Sequence, residues 1–200
     1  IERGPEVTER TRRWHRFLRG EAPFEPECNL LFGEGGAGAY SDGKLYTRVH
    51  DPRVPEVLEL LAACGAPPSI LWDAKPHIGS NLLPSVVRRL RRRLADGGAA
   101  FRFDTCMTGL LVEGGRVRGL ELGPAGEIDV GAVLLGLGHS ARDTIRRLHA
   151  AGVAMARKPF QLGARVEHPQ HIVNRMQYGL FAADPRLPPA DYRLVARIEG

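Results

Sequence analysis

The feature that most constrains this chain is a glycine-rich run at residues 33–45, GEGGAGAYSDGKL. Over several residues it has no side chain to obstruct the backbone. Such a loop can approach a pyrophosphate or a flat ring closely and aim its N–H groups at it. Ser41 and Asp42 add hydrogen-bonding groups, and Lys44 adds a positive charge. A mobile surface loop is the competing reading. The run is not a P-loop, because no GK[ST] follows it.

Around this run the chain alternates helical and strand-like patterns. Residues 2–17 open on a turn, ERGPE, and continue as a polar helix. Val54–Ala63 has apolar residues at helical spacing and a stop at Gly65. Residues 81–96 form the clearest amphipathic helix, with Leu82, Leu83, Val86, Val87, Leu90 and Leu94 on one stripe and five arginines on the other side. Short strands follow at AAFRFDT, CMTGLLVEGG, RVRGLELGP and EIDV, which predicts a small antiparallel meander over about residues 100–130. Gly114-Gly115 and Pro124-Ala125-Gly126 supply its turns. AVLLGL, residues 132–137, reads as a fully apolar strand running into a helix at 141–151. FQLGARVEHP predicts a further strand, HIVNRMQY a short helix, and YRLVARIE a last strand.

Three sites carry chemistry. Ile1-Glu2-Arg3-Gly4 resembles the end of a second strand in a dinucleotide-binding unit, where an acidic side chain accepts two hydrogen bonds from ribose hydroxyls. A phosphate-binding G-x-G-x-x-G is then expected about 20 residues upstream. An exposed terminal glutamate is the plainer alternative. Gly136 to Asp143, GLGHSARD, joins strand to helix, with Ser140 as N-cap and Asp143 as its capping-box partner. The capping role explains those two residues and leaves Gly136, Gly138 and His139 unexplained. His77, in KPHIGS, is a weak catalytic candidate against an ordinary structural role.

Composition excludes several classes. A chain of 200 residues, 43% hydrophobic and 26% charged, suits one soluble domain or one domain and part of a second. No apolar run approaches the length of a membrane span. IERGPEVTERTRR has no apolar stretch behind its charges, so no secretory signal is read, and the lack of an initial Met places the expected start upstream. Cys28, Cys64 and Cys106 form no C-x-x-C pair; they fit reduced thiols in a cytoplasm and predict no metal site. Pro169 spoils a shared helical face for His168 and His171. The net charge of +5 is spread among interleaved acids and, with 6% aromatics, does not predict nucleic-acid binding.

Taken together, GEGGAGAYSDGKLYTR, KPHIGSNLLP, GHSARDT and KPFQLGARVEHP, with ERG before them and QYG after, resemble the bacterial uncharacterised FAD-dependent dehydrogenases, of the glutathione-reductase-like flavoprotein type. The resemblance implies an internal piece of an α/β protein. It comprises a Rossmann-like FAD-binding domain at 1–157 lacking its first βα unit, an inserted segment around 46–80, and the start of a substrate domain at 158–200. It implies that Glu2 binds the adenosine ribose and that Gly35, Gly36, Ala37 and Gly38 pack against the pyrophosphate and flavin. Ser41, Asp42 and Lys44 would lie near the flavin edge, Met107 would meet the adenine, and Gly138 and His139 would end the strand beneath the cofactor. The activity implied is hydride transfer between an unidentified small molecule and flavin, with NAD(P)H a candidate electron donor. Lys44 is the candidate for stabilising reduced flavin. A non-catalytic FAD module and a flavoprotein acting on RNA bases are the alternatives.

Overall fold

The computed structural model describes residues 1–47, 49–159, 162–164 and 166–192. The chain divides into two compact units, Ile1–Met155 and Ala156–Gly200.

In the first unit, α1 (Val7–Leu18) begins where the Glu6 carboxylate accepts the Glu9 N–H at 2.9 Å. This is an N-cap, and it satisfies a donor that the first helical turn leaves orphaned. α2 (Val54–Ala63) and α3 (Leu83–Asp96) each carry a proline in the first turn, where its missing N–H costs nothing. The apolar stripe of α3 is buried at Leu83 and Val86, as its spacing predicts. Those two side chains join Cys64, Ala66, Ile70 and Ile78 in the core of this region, with Leu58, Leu61 and Leu90 packed around it.

The predicted meander is present as β1 (Gly109–Glu113), β2 (Arg116–Glu121) and β3 (Glu127–Asp129), antiparallel in that order. Gly114 and Gly115, the two-residue loop of the first hairpin, have φ of 57° and 76°. Positive φ at both positions is what a tight hairpin turn of matching twist requires, and glycine supplies it without strain. Arg118 lies between the pairs Leu111↔Gly119 and Val112↔Val117 as a bulge. α4 (Arg142–Ala150) lies against β1 and buries Thr144 and Leu148. The protein is thus mixed α/β, with a three-stranded antiparallel sheet.

Three sequence expectations, two strands and a helix cap, differ from this structure. Residues 99–105 are not a strand: Asp104 adopts φ of 48°, which breaks an extended run. They still bond to the amino-terminal residues, Glu2 N–H to Arg102 O at 2.8 Å and Thr105 N–H to Glu2 O at 3.0 Å. Residues 132–137 are extended without a strand partner; residues 131–139 make no backbone hydrogen bond among the described residues. A run of apolar residues favours a strand only where a neighbour offers the ladder. The strand pairings and isolated bridges among the described residues are antiparallel. Finally, the cap position of α4 is Ala141 rather than Ser140, with no side-chain cap; the Ser140 hydroxyl contacts His139 Nδ1, and the Asp143 carboxylate is engaged by Arg3.

In the second unit, α5 (Gln170–Tyr178) corresponds to the predicted HIVNRMQY helix. Asn174 fastens it to the following loop: its Oδ1 accepts from Gln170 Nε2 and from the Ala190 N–H, both at 2.9 Å. The expected strand over 160–169 falls partly outside the described residues, and the one over 192–199 almost wholly so. Among the described residues no helix is long and apolar enough to cross a membrane.

Candidate functional site

The first unit holds a cavity of about 910 Å³. One wall is the amino-terminal segment, Ile1 to Arg3, with Leu31, Phe32 and the start of the glycine-rich run. The unpaired apolar segment from Ala132 to Ser140 also lines the cavity. So do Leu120 and Ile128 of the sheet and Thr144 of α4. Its volume is in the range of sites for drug-sized ligands and cofactors.

The elements that position these walls are tied by charge. Arg3 is bound through both terminal nitrogens to Asp143, Nη1 to Oδ1 at 3.1 Å and Nη2 to Oδ2 at 3.3 Å. Its other edge grips Glu27, with Nη2 to Oε1 at 2.7 Å and Nε on Oε2. Its Cζ sits 4.5 Å from the centre of the Phe32 ring. One guanidinium thus ties the amino terminus, the loop before the glycine-rich run and the first turn of α4. Glu27 first, and then Asp143, raise the Arg3 pKa; reciprocally, Arg3 holds the Asp143 carboxyl below the usual aspartate range.

Glu2 is part of the first of these walls. Its Oε1 accepts two backbone N–H groups, from Gly4 at 2.9 Å and Gly33 at 3.0 Å. Oε2 makes no hydrogen bond among the described residues. One oxygen therefore orients the carboxylate and the other is left free to accept. In the glycine-rich run Gly35 and Gly36 have φ of 80° and 55° and lead into a 3-10 helix, Gly36–Tyr40. A Cβ built on Gly36 would meet nothing within 4 Å. The backbone there faces open space, as close approach to a bulky ligand requires.

Glu34, within the same run, is buried. Its Oε2 accepts the Val7 N–H at 2.8 Å and its Oε1 accepts Arg91 Nε at 2.7 Å. Arg91 also binds Glu6 at 2.8 Å, which ties α3 to both the cap of α1 and the glycine-rich run. Arg91, on the arginine side of α3, is therefore structural.

Of the residues singled out by sequence, Glu2, Gly35, Gly36, Ala37, Met107, Gly138 and His139 line the cavity. Gly38, Ser41, Asp42, Lys44 and His77 do not. Lys44 is exposed and paired with Asp42 at 3.2 Å, and its backbone bridges to that of His77. Ser41 Oγ is occupied locally, donating to Gly38 O at 2.8 Å. His139 Nδ1 contacts Ser140 Oγ at 3.1 Å. Among the described residues no cluster of three or more His, Cys, Asp or Glu could hold a metal ion. Sequence reasoning passed over Arg3 and Arg10. The signal for Arg10 was its place three residues after buried Val7, on the inward face of an otherwise polar helix.

A family model described as "FAD-dependent protein, C-terminal domain-like" matches residues 159–200. Over 198 residues the chain is 38% identical to an uncharacterised protein of Clostridium beijerinckii. That similarity takes in 99% of this chain and 37% of the relative, so the chain spans well under half the length of that protein. The chain is therefore similar, at 159–200, to the C-terminal region of FAD-dependent proteins and, along nearly its whole length, to part of a longer protein.

Proposed function

We propose that this chain belongs to an FAD-dependent oxidoreductase and supplies part of a Rossmann-like cofactor site. The observation that carries the reading is convergence. Seven residues from four separate stretches, each expected to touch the cofactor, line one cavity of about 910 Å³. The similarity of residues 159–200 to an FAD-dependent family points to the same cofactor.

The residues present fit such a ligand. Glu2 offers a pre-oriented acceptor to a ribose, held by two backbone N–H groups. The glycine-rich run offers backbone with no side chain in the way at Gly36. The Ala132–Leu137 wall offers an apolar surface to an aromatic ring system. Flavin, when bound, supplies the redox chemistry, accepting or giving a hydride from a small-molecule carbon. The protein's part is to bind, to orient and to exclude water. No side chain in the cavity is assigned as general base, and Lys44 lies away from it, paired with Asp42. NAD(P)H remains the candidate electron donor, in a cytoplasmic setting.

The test is reconstitution of the full-length protein with FAD. Bound flavin absorbance that bleaches anaerobically with NAD(P)H or another donor is expected. No flavin retained after reconstitution overturns the reading. Flavin that binds tightly but is reduced by no donor favours a non-catalytic cofactor instead.

A further inference from the structure

Arg10 is fully buried in α1, with 0% of its surface exposed, and has no carboxylate partner among the described residues. A buried charge of this kind is costly and is ordinarily found only where it is paired. Its partners are four backbone carbonyls. Nε donates to Asn29 O at 2.9 Å. Nη1 donates to Gly33 O at 3.3 Å, Glu34 O at 2.7 Å and Gly36 O at 2.8 Å. Nη2 has no hydrogen-bond partner among the described residues. The guanidinium covers the Tyr40 ring, with Cζ 4.7 Å from its centre.

We propose that Arg10 is a positioning residue for the cofactor site, fixing the conformation of the glycine-rich run from behind; the inference rests on the FAD reading above. Glycines at 33, 35 and 36 give the run little preference of its own. Three carbonyls within it gather on one guanidinium nitrogen, Nη1, which Nε anchors to Asn29 O. In a trans peptide the N–H points opposite to the C=O. Turning the carbonyls of Glu34 and Gly36 onto Arg10 therefore turns the N–H groups of Gly35 and Ala37 away from it. Both residues line the cavity, and neither N–H has a partner among the described residues. Arg10 itself does not line the cavity, so its effect on a ligand passes through the loop.

The experiment compares parent, Arg10→Lys and Tyr40→Leu in the full-length protein. Lysine keeps the charge but lacks the rigid plane by which Nε on Asn29 O fixes Nη1 at the carbonyls of the run. Tyr40→Leu removes the ring beneath the guanidinium and is the milder variant if Arg10→Lys does not fold. Two readouts are taken on each: FAD affinity by flavin fluorescence, and hydrogen exchange of the peptide covering residues 33–40 without FAD. Arg10→Lys is expected to bind FAD about 30-fold more weakly, equivalent to about 2 kcal/mol. Tyr40→Leu is expected to lose several-fold. In both, exchange accelerates in residues 33–40 while the core around Val86 keeps parental protection, which a general loss of stability would not give. Parental loop exchange in both variants, or FAD binding within threefold of parent in a folded Arg10→Lys protein, overturns the proposal. A parent protein that binds no FAD overturns the cofactor reading; the loop-exchange result, which needs no ligand, still decides whether Arg10 holds the run.

Discussion

Glu2→Gln separates the two oxygens of one carboxylate. In the parent, Oε1 accepts the Gly4 and Gly33 N–H groups at 2.9 and 3.0 Å, and Oε2 has no partner among the described residues. Glutamine can keep its carbonyl oxygen toward those two donors, which places its NH2 where Oε2 was. The backbone then loses only charge assistance. A hydrogen bond to a charged group contributes about 1.5–3 kcal/mol and a neutral one about 0.5–1.5 kcal/mol. For two bonds at a half-buried position, we expect a stability loss of about 1 kcal/mol after solvent screening. A ribose hydroxyl suffers more, because an acceptor is replaced by a donor facing another donor. FAD affinity should fall roughly 10- to 100-fold, or about 1.4–2.8 kcal/mol. Urea unfolding without FAD and an FAD titration on the same preparations measure the two effects separately. If stability falls while FAD affinity is unchanged, Glu2 serves only to hold Gly4 and Gly33, and the ribose role is wrong.

Gly36→Ala should cost about 1 kcal/mol in urea unfolding, since an L-residue is forced to a φ of 55°, and should weaken FAD binding by more than that. Unchanged FAD affinity in the folded variant would mean that the ligand does not approach Gly36. For Asp143, whose folded-state pKa is depressed by Arg3, the ion pair stabilises the fold above the ordinary aspartate value. That contribution disappears as pH falls through the lower, folded-state value. The gap in urea midpoint between parent and Asp143→Asn should therefore be widest near neutral pH and narrow toward acid; a gap that grows as pH falls would reverse the sign of the argument.

The helices were legible because their signals are local. The stripe Leu83, Val86, Leu90 and the proline of α3 stand within one element, as do the Gly114-Gly115 turn and the strands that it joins. What was not legible depends on partners far away in sequence. AVLLGL has a strand's composition, but a strand exists only where another backbone accepts its bonds, and residues 131–139 find none among those described. Ser140 and Asp143 spell a capping box, yet Asp143 is taken by Arg3, 140 positions earlier. The site was legible in part. Glu2 and the glycines at 35 and 36 line the cavity, whereas Lys44 is paired with Asp42 and is not among its lining residues. Arg10 was hidden in a run of arginines because its partners are carbonyls, which sequence cannot name.

The Arg3 clamp also sets an order of events in folding. Its bond to Glu27 closes a separation of 24 residues, and its bonds to Asp143 one of 140. Loop-closure entropy makes the longer closure costlier by about 1.6 kcal/mol for a flexible chain. The β1–β2 hairpin and the contact with Glu27 can form while that cost is still unmet. The junction between the amino terminus and α4 then closes last on the way in and opens first on the way out. Loss of the Asp143 carboxylate would accordingly appear mainly as faster unfolding, with the folding rate little changed.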